Sequence, residues 1–151
     1  YCFWIRECSH NTQGINVMKI AACCGCAHLK FESDSEPVLT LCCHCLDCQD
    51  ALQADFANIA FFSVGSIEMQ GAPAEKHYVA ASGSKTMRQY CPHCKTVMFD
   101  RSEGFPHLLG VMANQILPPY SFRPACHVFV RDKQPAVEIP EGVKQYEMGL
   151  S

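Results

Sequence analysis

Val38-Leu39-Thr40-Leu41-Cys42-Cys43-His44-Cys45-Leu46-Asp47-Cys48 is an apolar, strand-like run that ends in a cluster of thiols. Before it, His28-Leu29-Lys30-Phe31-Glu32 alternates apolar and polar residues. The turn formers Ser33-Asp34-Ser35-Glu36-Pro37 lie between, so the two runs read as a β-hairpin in outline. Similar brief runs recur over 59–64, 77–80, 86–90, 96–99, 107–112 and 128–130, separated by glycine, serine and proline. Helix-compatible residues over 50–60 suffice for one turn or a small helix. Many short strands with little helix predict a mainly-β domain.

The 151 residues are 48% hydrophobic and 18% charged, which fits one compact domain, expected over 18–151. Residues 1–17 show no sustained periodicity and are expected to be an appendage. Their apolar patch, Phe3-Trp4-Ile5, is interrupted by Arg6 and Glu7, so no export signal is read and a cytoplasmic location is expected. No run of about 20 apolar residues is present, so no membrane-spanning helix is expected. Lysine and arginine total 12 against 15 aspartates and glutamates, with no basic cluster, so no nucleic-acid partner is expected.

Twelve cysteines are the unusual feature of the composition. A disulfide framework and a metal site compete to explain them, and the short intervals Cys24-Gly25-Cys26, Cys43-His44-Cys45-Leu46-Asp47-Cys48 and Cys91-Pro92-His93-Cys94 favour a shared ion over separate bridges. In an extended strand Cys24 and Cys26 would share a face, and the Cys91–Cys94 knuckle would converge two more sulfurs. Together the four make a closed tetrahedral zinc site, which is structural because it leaves no room for substrate. A redox role for Cys91 and Cys94 fits less well, because a strand rather than a helix is read after them.

The central motif offers three thiols, Cys43, Cys45 and Cys48, without a matching fourth. Cys43 and Cys45 share a strand face, with His44 pointing away from both and Cys42 alternating to the opposite side. Three protein ligands and one open place are the usual catalytic zinc arrangement, and the net charge of about −1 makes such a site a weak Lewis acid. It suits the capture and deprotonation of an external thiol. The competing reading closes the shell with Cys42, Cys126 or a histidine and makes this site structural too.

The ordered set Cys24-x-Cys26, Cys43-His44-Cys45-x-x-Cys48, Arg88-Gln89-Tyr90-Cys91-x-x-Cys94-x-Thr96 and His127-Val128-Phe129 resembles the glutathione-dependent formaldehyde-activating family, which includes centromere protein V. The resemblance implies a tent-like β fold, a structural zinc on Cys24, Cys26, Cys91 and Cys94, and a catalytic zinc on Cys43, Cys45 and Cys48, which the open position would make the more labile of the two. It further implies condensation of glutathione with formaldehyde, a carbon–sulfur lyase reaction in the reverse sense. The alternative is a non-catalytic zinc module that binds a protein or small ligand on the same scaffold.

Three positions depart from the family pattern. Ala27 and Lys95 stand where it has glycine, and Gln49 stands where it has a basic residue. Glutathione carries two carboxylates, so cations are sought nearby: Arg88, Lys30, Lys85 and Lys95 are the candidates, with Arg88 expected to bind the co-substrate. His127 is expected to be a support residue. Phe56, Phe61, Phe62 and Tyr90 are expected in the core.

Overall fold

A computed structural model describes residues 19–150; the appendage expected over 1–17 lies outside the described residues. In chain order the strands are β1 (Ile20–Cys23), β2 (Lys30–Ser33), β3 (Leu39–Cys43), β4 (Ala57–Ser63), β5 (Ile67–Gln70) and β6 (Ala74–Val79). They continue with β7 (Lys85–Tyr90), β8 (Val97–Ser102), β9 (Leu108–Met112), β10 (Cys126–Val128) and β11 (Lys144–Gln145). One α-helix, α1 (Leu46–Leu52), follows β3. The domain is mainly β, as its short alternating runs predict.

The strands form two sheets. Three run antiparallel in the order β1-β2-β5, and eight run in the order β11-β10-β3-β4-β9-β8-β7-β6. In the larger sheet β10 pairs parallel with both β3 and β11, placing His127 beside Cys42. The hairpin expected between 28–32 and 38–42 does not form. β2 pairs with β1 and β5, and β3 pairs with β4 and β10 in the other sheet. The turn residues between β2 and β3 therefore carry the chain from one sheet to the other.

Strand alternation gives the larger sheet two apolar faces. On one face Ala60, Phe62, Met98, Phe99, Leu109 and Val111 pack against Ala22, Leu29 and Phe31 of the small-sheet side. Phe31 meets the Phe62 ring edge-on at a centroid distance of 4.9 Å. Each of the larger fully buried side chains contributes roughly 1.5–3 kcal/mol by leaving water. The other face carries Leu41, Cys43, Ala57, Ile59, Met112 and Val128, with Cys45 and Cys48 delivered to it by the start of α1. Burial thus divides the sulfur clusters: one lies where the two sheets meet, the other on the far side of the large sheet.

The helix begins at Leu46 rather than near Asp50. Cys45 caps it, with an extended backbone and a sulfur that accepts from the Cys48 N–H at 3.4 Å. Gln53 ends it in the left-handed conformation, at φ 49.

Candidate metal centres and cavity

Cys24 and Cys26 occupy the turn after β1, and Cys91 and Cys94 the turn between β7 and β8. Their four sulfurs lie within 4.8 Å of one another. Cys24 and Cys26 are 3.7 Å apart and Cys26 and Cys91 are 3.6 Å apart. A tetrahedral zinc with arms of about 2.3 Å holds its sulfurs roughly 3.8 Å apart, so the observed spacing fits such an ion. The Leu29 N–H donates to the Cys24 sulfur at 3.3 Å, and the N–H groups of His93 and Cys94 donate to Cys91 at 3.4 and 3.5 Å. Burial nevertheless pushes the Cys24 thiol up to about 12. At Cys94 burial acts upward, yet contacts with Thr96 outweigh it and bring the thiol down to about 6.

Strand alternation is not what brings Cys24 and Cys26 together. Both cysteine pairs sit in tight turns of different span: the Ala27 N–H returns three positions to the Cys24 carbonyl at 3.1 Å, and the Lys95 N–H four positions to the Cys91 carbonyl at 2.9 Å. Ala27 and Lys95, the two residues found in place of glycine, take the left-handed backbone, with φ 63 and φ 64. That conformation strains a residue with a side chain by about 1 kcal/mol.

The second cluster is built locally. β3 ends at Cys43, the chain turns through His44 into the helix cap at Cys45, and Cys48 returns in the first helical turn. All three are buried and their sulfurs lie within 4.8 Å of one another. Among the described residues this group supplies three ligand atoms. Cys42 and His44 face the opposite side of the sheet, where Cys42 Sγ is 3.6 Å from His44 Nε2 and that nitrogen is 2.9 Å from His127 Nδ1. The two rings stack, and burial lowers the pKa of each, so both are neutral and share one hydrogen bond. This Cys42–His44–His127 group escapes a local reading, because β10 brings His127 in from 83 positions away.

Within the three-thiol cluster the protons are unequally shared. Hydrogen bonds from Cys43 and Cys48 draw the Cys45 thiol well below its ordinary value. Burial opposes this, while the Cys48 N–H and the Arg88 charge assist. The same contacts push Cys43 up. A set of thiols that already settles negative charge on one sulfur is suited to a divalent cation.

Arg88 reaches this cluster from β7. It is 4% exposed, with Nη2 at 3.8 Å from the Cys48 sulfur and also donating to the Tyr78 hydroxyl. Its Nε lies 3.3 Å from Asp100 Oδ1. The distance makes an ion pair, but the angle does not complete a hydrogen bond, and both atoms lack another such partner. Gln49 is occupied elsewhere: its amide donates to the carbonyls of His44 and Asp132 at 2.8 and 2.9 Å and accepts from Gln134.

A cavity of about 310 Å³ opens over the three thiols. Cys43, Cys45 and Cys48 lie in its wall together with Asp100 and Tyr78, two residues that the sequence alone did not single out. Phe61, expected in the core, lines it as well, while Phe62 is fully buried on the other face.

The profile of the family described as "Glutathione-dependent formaldehyde-activating enzyme" matches residues 19–132. No curated protein matches the chain. Among solved structures, the crystal structure of a Rhodobacter sphaeroides protein is similar, at 16% identity and a TM-score of 0.49, over 83% of this chain and 98% of that one.

Proposed function

Since the chain belongs to the glutathione-dependent formaldehyde-activating enzyme family, we propose that it is a zinc-dependent carbon–sulfur lyase or synthase. It joins glutathione or a related thiol to formaldehyde or a related aldehyde. The observation that supports this reading is the placement of three buried, converging sulfurs in the wall of a cavity, with Cys42 and His44 turned to the other side of the sheet. Cys24, Cys26, Cys91 and Cys94 would hold a structural zinc, and Cys43, Cys45 and Cys48 a second one with a place open to the cavity. When bound, that second zinc supplies a site where an incoming thiol loses its proton at neutral pH.

The chain's own residues then have three tasks. Arg88 balances negative charge beside Cys48, which keeps the sulfurs ionised in a buried setting. The apolar wall excludes water and holds the aldehyde carbon against the sulfur. Asp100, raised to about 6 by burial against the opposing charge of Arg88, is the wall group placed to take and return a proton. In the forward direction the sulfur pair forms the carbon–sulfur bond and the carbonyl pair moves to oxygen. The proton lost from the thiol ends on the new hydroxyl, so one thiol and one aldehyde give one hydroxymethyl thioether.

The test is exchange NMR of labelled formaldehyde with glutathione and with simpler thiols, with and without the zinc-loaded protein. Exchange faster than the uncatalysed rate, lost in Cys45→Ser, supports the enzyme. No acceleration with any thiol, although both sites hold zinc, would favour the non-catalytic module.

A further inference from the structure

The cavity above Cys43, Cys45 and Cys48 is built for an occupant of a particular kind. Its walls carry Leu41, Ile59, Phe61, Phe105, Phe129 and Leu150, which present apolar surface around the sulfurs. Apart from the thiols and the Tyr78 hydroxyl, the ionisable group in the wall is Asp100, an acid. None of the cations considered from the sequence, Arg88, Lys30, Lys85 and Lys95, is among the lining residues. Lys85, although it stands between two lining residues, Ser84 and Thr86, lines an adjoining groove with His77 and Arg101 and not the cavity itself.

The charge balance points the same way. Three thiolates around a divalent cation leave about −1, and an incoming thiolate adds another negative charge. Arg88 is matched by Asp100 at 3.3 Å and sits behind the wall, so it has little positive charge left to offer a ligand. A free carboxylate entering this space would lose its water, gain no cation and meet net negative charge. An uncharged apolar body meets none of these penalties and gains from the walls. The size agrees, since about 310 Å³ lies at the small end of ligand cavities.

We propose that the thiol, or thiol adduct, accepted at this site is a small, uncharged and largely apolar molecule rather than a tripeptide bearing two carboxylates. The proposal rests on the thiol-binding reading above and narrows it. The serine hydroxyls at the rim, Ser82 and Ser84, offer neutral hydrogen bonds to a polar end of such a molecule.

The experiment uses the full chain with cobalt(II) in place of zinc, whose sulfur-to-metal absorption reports direct thiolate binding without turnover. Glutathione, its diethyl ester and benzyl mercaptan are titrated in turn. The ester keeps the thiol and removes both carboxylate charges. The expected order is benzyl mercaptan tightest, the diester next and glutathione weakest, with a span of about tenfold or more in Kd between the extremes. A second arm places a cation at the exposed rim position Ala81. Ala81→Arg should tighten glutathione several-fold and leave benzyl mercaptan unchanged.

If glutathione binds as tightly as its diester and benzyl mercaptan, or more tightly, while still producing the thiolate band, the proposal is overturned and the thiol-binding reading stands. If no thiol changes the band, that reading falls and takes the proposal with it. Glutathione binding unaltered by Ala81→Arg would likewise count against a cavity-bound tripeptide short of cations.

Discussion

Nη2 of Arg88 points at the Cys48 sulfur from 3.8 Å, inside a wall where the arginine is almost wholly buried. A fixed cation beside a sulfur favours its ionised form, so Arg88 would act on the proposed metal ligands from behind. Replacing it with methionine should weaken zinc at the three-thiol site by about 10- to 100-fold, as loss of outer-shell partners does elsewhere. Zinc at the four-thiol site should be unchanged. Competition with a chromophoric chelator separates the two affinities. Arg88→Met alone also strands the Asp100 carboxylate, so the Arg88→Met/Asp100→Leu double variant serves as the control: weak metal binding should persist there while stability recovers.

Cys91 and Cys45 should respond in opposite ways to serine. Cys91 is fully buried between the sheets and accepts two backbone N–H groups. Cys91→Ser should therefore lower unfolding free energy by about 4 kcal/mol or more, together with loss of one zinc equivalent. Cys45 caps α1, and serine is a good residue at that position. Cys45→Ser should change stability by less than about 1 kcal/mol and abolish thiol–aldehyde exchange. Thermal melts and metal analysis of both variants check the contrast. Equal destabilisation by the two would contradict it.

Lys95 is exposed and left-handed, a combination that invites glycine. Lys95→Gly should raise the urea midpoint, with a gain of about 0.5–1 kcal/mol after allowing for the freer unfolded chain. Ala27→Gly should do the same at the other turn. A fall in midpoint for both would show that the turns gain more from their side chains than they lose in backbone strain.

Burial holds the Asp100 carboxyl up to about 6, above its ordinary value of 3.8, with the Arg88 charge pulling the other way. The folded state then binds this proton more tightly than the unfolded state does. The associated stability is present below about pH 4 and is lost as pH rises through about 6. Asp100→Asn should remove this component. The measurement is the difference in denaturation free energy between wild type and variant at pH 4, 5, 6 and 7. Acid release of bound metal is common to both and drops out. A difference independent of pH would show that Asp100 titrates as an ordinary carboxyl.

The sulfur clusters were legible in the sequence because their spacing is local, and the strands were legible where alternation has a buried face, as in β3 and β4. Three features lay beyond a local reading. The hairpin failed because the partners of both strands lie outside it: β2 pairs with β1 and β5 in one sheet, and β3 with β4 and β10 in the other. The helix was placed too late because cysteine is an unusual cap, and its sulfur took the place of the serine or aspartate that marks a start. The setting of Arg88, expected from the sequence to bind the co-substrate, was not legible because its partners Tyr78 and Asp100 come from neighbouring strands, and their registers are set by the sheet. β5 was readable in principle, since Ile67 and Met69 alternate with Glu68 and Gln70.

Cys26 and Cys91, neighbours at 3.6 Å, are separated by 65 positions of chain. During translation at roughly 5–20 residues per second, several seconds pass between the emergence of the first pair of sulfurs and the second. The Cys43, Cys45 and Cys48 ligands emerge together, on one short piece of the nascent polypeptide. A zinc ion met early would find its three-thiol site assembled before the four-thiol one exists. The order in which the two ligand sets emerge at the ribosome is thus the reverse of their expected affinities. If both sites take zinc, an ion captured first by the looser one would stand ready to be passed to the tighter one once β7 and β8 have been made.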